Sequence, residues 1–72
     1  MSLTMAEKIR IILRRRGVTL AQLAAKTGQS RQNLANKLAR DNFNEKDLQA
    51  IARALNCAYE ARFVMRDTGV EV

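Results

Sequence analysis

The sequence has no histidine, proline or tryptophan, and it has a single cysteine. Without histidine, and with Cys57 alone, the chain lacks the side-chain sets that bind zinc or form nucleophilic catalytic pairs, so we expect no metal and no cofactor. Cys57 cannot form an intrachain disulfide, and we expect it to be a small buried apolar side chain in a protein of the reducing cytoplasm. The longest nearly uncharged stretch, residues 17–25, is far shorter than the roughly 18 apolar residues of a membrane helix, so we expect no membrane partner.

Charge is divided unevenly along the 72 residues, whose net charge is +6. Residues 1–40 carry nine basic side chains and one acidic one, whereas residues 41–72 carry four basic and six acidic ones. A chain of this length forms one small domain, and 47% apolar residues without proline favour an ordered, mostly helical domain over a disordered basic tail. The positive charge of the first half predicts a polyanionic partner.

Capping residues and apolar spacing divide the first 56 residues into four helices. Apolar side chains recur three or four positions apart, as on the buried face of an amphipathic helix. Short polar residues precede these runs as predicted helix caps: Thr4, Thr19, Ser30 and Asn44. Residues suited to left-handed backbone follow three of the runs: Gly17, Gly28 and Asn56. The third helix is predicted over about residues 30–39, and residues 40–44 are predicted to form a loop.

After Asn56 the apolar period changes from 3.6 residues to two, which predicts a half-buried strand over residues 57–66. Residues 67–69 have the composition of a turn, and residues 70–72 could return as a short hairpin arm. Because an isolated hairpin is marginally stable in water, we expect it to pack on the helices, pair with a second subunit, or do both. The predicted fold class is mainly α, with a four-helix domain over residues 1–56 and a C-terminal β-strand or hairpin over residues 57–72.

Two short helices joined by a tight glycine turn, the second with a polar outer face, form a helix-turn-helix unit. Residues 20–34, LAQLAAKTGQSRQNL, resemble the motif of phage repressor and Cro proteins, the XRE family of helix-turn-helix regulators. Ala24 stands where that family has a small residue between the two helices, Gly28 stands at the turn, and Leu34 stands at the apolar anchor of the recognition helix. The resemblance covers about residues 4–56 and implies a repressor-like fold that binds double-stranded DNA.

The polar face of the third helix supplies the candidate DNA contacts. An α-helix fits the DNA major groove, which is about 12 Å wide, and side chains near the helix N-terminus reach the base edges. Arginine pairs with guanine, and glutamine or asparagine pairs with adenine, which predicts three base-reading residues: Arg31, Gln32 and Asn36. The resemblance implies phosphate contacts by Ser30 and Asn33. Four further residues are expected to hold the DNA backbone on either side: Thr19, Gln22, Lys37 and Arg40.

Two positions depart from the family pattern. Many members have a glutamine that holds a phosphate at the start of the second helix, where this chain has Leu20. A late apolar anchor of the recognition helix is replaced by Lys37, with Leu38 one position later, which indicates a small shift in how the third helix packs. Leu20 keeps a second function open, in which the same fold is a protein-interaction module such as an antitoxin or an assembly factor.

Other functions have less support. Residues 67–69 read Asp-Thr-Gly, the catalytic triplet of aspartic proteases, but those enzymes are all-β and a turn accounts for the triplet, so we expect no enzyme. RNA or anionic-membrane binding by the basic first helix lacks aromatic residues among the basic ones. Because no effector domain accompanies the motif, the sequence predicts a small cytoplasmic transcriptional regulator, a repressor, without a small-molecule substrate. A homodimer would select an inverted-repeat operator.

Overall fold

Residues 2–56 form the four helices that their sequence predicts. The computed structural model describes residues 2–72, and within that range the helices are α1 Met5–Arg16, α2 Leu20–Lys26, α3 Arg31–Arg40 and α4 Glu45–Ala54. Met1, the first residue of the predicted DNA-binding segment, lies outside the described residues. Helices of 7 to 12 residues are marginal in isolation, so their ends and their packing must hold them.

Each helix begins at one of the predicted caps. In all four, the cap side chain accepts a hydrogen bond at 2.8–3.1 Å from the backbone N–H three residues later: Thr4, Thr19, Ser30 and Asn44. In three helices a side chain three residues later also accepts, at 2.9–3.2 Å, from the backbone N–H of the cap: Glu7, Gln22 and Asp47. These reciprocal capping boxes satisfy N–H groups that have no partner within the helix.

Each helix is followed by a residue with left-handed backbone. The φ angles lie between 50° and 70° at four positions: Gly17, Gly28, Asp41 and Asn56. After α2, the N–H of Gln29 donates to the carbonyl of Ala24 at 3.0 Å and that of Gly28 to Ala25 at 3.2 Å, the Schellman arrangement. Gly28 is required for its backbone conformation rather than for space, because nothing lies within 4 Å of the position that a Cβ would take.

The apolar faces of the helices meet in one core. Its buried members are Ala6, Ile9, Leu13, Leu23, Ala24, Leu34, Leu38, Ile51 and Leu55. Leu23 of α2 and Leu34 of α3 are completely buried, and Ala24 is 2% exposed, so the two helices approach closely at a small residue. Each fully buried leucine stabilises the fold by about 1.5–3 kcal/mol. Cys57 packs at the edge of this core and is half-buried rather than fully buried as expected.

Asp41 joins the end of α3 to the start of α1. Its Oδ1 accepts a hydrogen bond from the backbone N–H of Ala6 at 2.7 Å, across 35 positions of sequence. The N–H groups in the first turn of a helix have no partner within that helix, so Asp41 acts as a further cap for α1. Because Asp41 also adopts the left-handed φ of 50° that ends α3, a single residue fixes both helix ends.

The strand predicted over residues 57–66 is not formed. In the part of the chain that the structure describes, pairing is limited to one antiparallel bridge, between Val64 and Glu71. The turn is present, since the N–H of Gly69 donates to the carbonyl of Met65 at 2.7 Å. The expected half-buried face is wrong beyond Tyr59, because Phe63 is 82% exposed. Residues 57–62 have no described strand to pair with, and an alternating pattern without a partner strand does not form a sheet.

Replacing Asp41 by alanine should remove both of its roles. The N–H of Ala6 loses its acceptor, and alanine disfavours left-handed backbone, so we expect the free energy of unfolding to fall by about 2–3 kcal/mol. Asp41→Asn keeps an oxygen acceptor and tolerates the left-handed region, so it should cost clearly less. Urea denaturation of the two variants measures the difference, and equal losses would contradict this account of Asp41.

The capping box of α1 should make stability depend on pH. Hydrogen bonds from the backbone N–H and then the hydroxyl of Thr4 lower the pKa of Glu7 below its usual 4.5. A carboxyl with a lowered folded-state pKa stabilises the fold above its unfolded pKa, and this contribution is lost as the pH falls through the folded pKa. The Tm difference between the wild type and Glu7→Gln should therefore shrink on acidification below about pH 4.

The capping box of α2 provides the matched control, because Gln22 has no charge to titrate. Gln22→Ala should lower the Tm by an amount that does not change with pH over the same range. A Glu7→Gln difference that stays constant on acidification would show that the charge of Glu7 contributes nothing to the capping box.

Candidate nucleic-acid interface

The outer face of α3 carries most of the predicted DNA contacts. Leu34 and Leu38 anchor the inner face, at 0% and 3% exposed, which confirms that position 38 supplies the late apolar anchor. Five of the predicted residues are exposed on the helix: Arg31, Gln32, Asn33, Asn36 and Arg40. Lys37 differs from these five, because it is half-buried and its ammonium is paired with Asp47 of α4.

Two of the three predicted base-reading residues are hydrogen-bonded to each other. The Nε2 of Gln32 donates to the Oδ1 of Asn36 at 3.0 Å, one helical turn later. Because an amide nitrogen carries two hydrogens, Gln32 keeps one N–H and its carbonyl oxygen, and Asn36 keeps its own N–H groups. The pair therefore offers donors and an acceptor side by side, as the major-groove edge of adenine requires.

Arg31 is the first residue of α3 and is exposed. The ion pairs found among residues 2–72 involve Lys37 and Arg62 and leave Arg31 without a carboxylate partner. A guanidinium in this state offers all five of its N–H donors, in the planar fork that matches the O6 and N7 acceptors of guanine. Arg31 directly precedes Gln32 in the sequence, and its exposed side chain is free to turn toward a ligand.

A hydrogen-bond chain fixes Asn33 against the turn between α2 and α3. The Nδ2 of Asn33 donates to the Oε1 of Gln29, and the Nε2 of Gln29 donates to the Oγ1 of Thr27. The Thr27 hydroxyl then donates to the carbonyl of Leu23, and each of these three bonds is 2.9 Å long. Sequence reasoning missed Thr27 and Gln29. The four-residue spacing of Gln29 and Asn33 across the helix start is the signal that finds the first link.

The remaining predicted phosphate contacts are the capping residues. Thr19 and Gln22 bond reciprocally, and the Oγ of Ser30 accepts from the N–H of Asn33. These bonds use acceptor atoms, so the hydroxyl hydrogens of Thr19 and Ser30 and the amide N–H groups of Gln22 remain available as donors to phosphate oxygen. Leu20, which replaces the family glutamine, is half-buried and packs against the core.

A polar hollow of about 370 Å³ lies between α3 and the start of α4. Within it, the Nζ of Lys37 donates to the Oδ1 of Asp47 at 2.8 Å, and the two side chains are 27% and 20% exposed. The Lys37 ammonium, more than the Asn44 N–H, lowers the pKa of the Asp47 carboxyl below its usual 3.8. Asp47 is therefore ionised at neutral pH and holds Lys37, the one predicted phosphate contact that is in an ion pair found among residues 2–72.

Three structural facts bear on the metal, membrane and protease interpretations of the sequence. No group of three or more potential metal ligands lies together within residues 2–72. Over the same range no helix is long and apolar enough to cross a membrane. Residues 67–69 form an exposed turn whose Gly69 has a φ of 74°, which accounts for the Asp-Thr-Gly triplet.

Comparison with known proteins identifies the helical unit. The family model of the Cro/C1-type HTH DNA-binding domain matches residues 8–60, which include all of α2, α3 and α4 and most of α1. No curated protein and no solved structure matches the chain significantly. The matched family consists of DNA-binding domains rather than enzymes. Because the match spans well over half of the 72 residues, the chain belongs to the family of Cro/C1-type HTH DNA-binding domains.

Proposed function

We propose that this protein is a small transcriptional regulator that binds double-stranded DNA by sequence, with α3 in the major groove. The observation that carries the proposal is the open face of α3, where the bonded pair Gln32 and Asn36 lies beside an unpaired Arg31. We infer a repressor, because occupation of an operator is enough to block transcription and needs no further contact surface. DNA binding also agrees with the expected cytoplasmic location.

Base recognition falls to three side chains in this proposal. Arg31 donates two hydrogen bonds to a guanine. Gln32 uses its free N–H and its oxygen on an adenine, while its other N–H stays on Asn36, which reaches an adjacent base. The bond between the two amides limits their rotation before DNA binds, so less side-chain entropy is lost on binding.

Backbone contacts fix the position of α3 in the groove. Neutral donors supply most of them: Thr19, Gln22, Ser30 and Asn33. Arg40, exposed in the last turn of α3, adds a charged contact. Such contacts orient the protein and carry no sequence information. Lys37 can join this set only when its ion pair with Asp47 opens.

We further propose a homodimer that pairs through the C-terminal hairpin. Five of the six large apolar side chains that are exposed among residues 2–72 lie there: Phe63, Val64, Met65, Val70 and Val72. The single bridge leaves backbone groups unpaired along both arms, and exposed strand edges of this kind pair with other chains. A two-fold dimer would place two copies of α3 about 34 Å apart and would select an inverted-repeat operator.

The alternative function, a protein-interaction module, rested on Leu20. That side chain is half-buried and packs against the core, so folding accounts for an apolar residue at this position. The two functions also differ in their response to salt. Protein–DNA affinity falls steeply with ionic strength because counterions are released from phosphates, whereas an apolar protein interface responds weakly.

Selection from a random pool of duplex DNA at two salt concentrations tests the proposed function. We expect enrichment of a sequence with two inverted half-sites whose centres are about 10 base pairs, one helical turn, apart. Affinity should fall strongly at the higher salt concentration. A pool that shows neither enrichment nor salt-dependent retention would contradict DNA binding and favour a protein partner.

Arg31→Ala should weaken binding to the selected sequence by about 1–3 kcal/mol. The preference between bases should be lost at one base-pair position and kept at the others. Arg53→Ala is the matched control, because it removes the same charge from an exposed position in the last turn of α4. Titration of both variants against the selected site and its single-base variants measures the effect. If Arg31→Ala changes neither affinity nor preference, then Arg31 does not read a base.

Phe63→Glu should convert the proposed dimer into a monomer, because it places a charge on the most exposed large apolar side chain of the hairpin. Gln49→Glu adds the same charge to an exposed position of α4 and should leave the dimer intact. Sedimentation equilibrium measures the association, and circular dichroism checks that helix content is unchanged. A dimer that survives Phe63→Glu would exclude Phe63 from the interface.

A further inference from the structure

The geometry around Asp47 points to a role in DNA recognition that goes beyond its role as a helix-capping residue. We propose that Asp47 is a positioning residue that holds Lys37 away from DNA phosphate and thereby limits binding to DNA of arbitrary sequence. This inference rests on the proposed DNA-binding function. In this inference, the carboxylate of Asp47 in α4 determines whether the ammonium of Lys37 in α3 can reach a phosphate.

Asp47 is held on both sides. Its Oδ1 accepts from the Nζ of Lys37 at 2.8 Å, and its Oδ2 accepts from the backbone N–H of Asn44 at 3.2 Å. Its own backbone N–H donates to the Oδ1 of Asn44 at 2.8 Å. The start of α4 therefore fixes the carboxylate, and the carboxylate in turn fixes the end of a lysine side chain that would otherwise move freely.

The pair lies among the proposed DNA contacts. Asn33, Asn36 and Arg40 line the same hollow as Lys37 and Asp47. A phosphate that approached the Lys37 ammonium would also approach the carboxylate 2.8 Å from it, so attraction and repulsion would nearly cancel. Because both side chains are mostly covered, salt screens their mutual attraction less than it screens an exposed pair.

Among the cations of α2 and α3, the ion pairs found within residues 2–72 include only Lys37. The other cations between Leu20 and Arg40 are Lys26, Arg31 and Arg40, and none of them is in an ion pair found among residues 2–72. Phosphate contacts strengthen binding to every sequence equally, whereas base contacts distinguish sequences. Withdrawal of one cation from phosphate therefore lowers the affinity for every sequence, non-specific DNA included, without any change in the groups that read bases.

Asp47→Asn should release Lys37 while keeping an oxygen that can accept from the Asn44 N–H. With mixed-sequence duplex DNA as the probe, we expect the plot of log K against log salt to become steeper by about 0.9, the value for one added phosphate contact. Glu45→Gln is the matched control, since it removes one negative charge from the same turn of α4 without an ion-paired lysine. Its slope should change clearly less, and equal slopes for the two variants would overturn the proposal.

Lys37→Gln provides the second arm of the experiment. In the Asp47→Asn background it should abolish the added slope, whereas in the wild-type background it should reduce the slope clearly less than the loss of a phosphate contact does, because it only unmasks the Asp47 carboxylate. Arg40→Gln calibrates the measurement, because loss of an unpaired cation in contact with phosphate should reduce the slope by about 0.9. The proposal is wrong if Lys37→Gln alone reduces the slope as much as Arg40→Gln does. The comparison of Lys37→Gln with Arg40→Gln needs no substitution of Asp47, so it tests the proposal even if Asp47→Asn unfolds.

Failure of this inference and failure of the proposed function have different signatures. A wild-type chain that does not bind the mixed-sequence duplex at low salt overturns both. A wild-type chain that binds with a steep salt dependence, together with an unchanged slope for Asp47→Asn, leaves DNA binding intact and overturns only the role of Asp47.

Discussion

Burial of Leu23 and Leu34 against each other's helices is the constraint on which the rest of the interface depends. Both side chains are completely buried, and Ala24 beside them lets α2 and α3 approach closely. With Leu34 and Leu38 directed into the core, the helical period places Arg31, Gln32 and Asn36 on the side open to solvent. The same leucines that stabilise the domain thus determine which polar side chains α3 presents, so that a change in core packing would rotate the recognition surface.

The parts of the fold that depend on neighbouring residues could be predicted from the sequence. Thr4, Thr19, Ser30 and Asn44 cap their helices through bonds that span three positions, and a pattern of that length is visible in the chain. The bond from Ala6 to Asp41 spans 35 positions, and no local pattern indicates it. The prediction of a C-terminal strand was wrong for a related reason. Alternation describes which side chains could share a face, but a strand also needs a partner, and the described part of the chain supplies none to residues 57–62.

In the candidate site too, features set by neighbouring residues could be predicted, whereas a contact between helices could not. Exposure of Arg31 and Gln32 follows from the helical period, and the bond from Gln32 to Asn36 follows from their four-residue spacing. Lys37 is different, because its sequence position identified it as one more cation on a basic helix. Its partner comes from the next helix, at the opposite side of a loop, and only the folded chain shows that its charge is already matched by Asp47.

The uneven charge along the chain therefore has a more specific meaning than general attraction to a polyanion. Most acidic residues of the chain belong to the second half, but Asp47 places one negative charge against Lys37 of the DNA-facing helix, where it is anchored by the capping box of α4. A carboxylate at that place stabilises the helix start through the macrodipole and matches a lysine at the same time. Its two roles cannot be separated by protonation near neutral pH, because the Lys37 bond lowers the pKa of Asp47. Control of this lysine is consequently built into the fold itself, and the protein can limit non-specific attraction to DNA while keeping a strongly basic surface elsewhere.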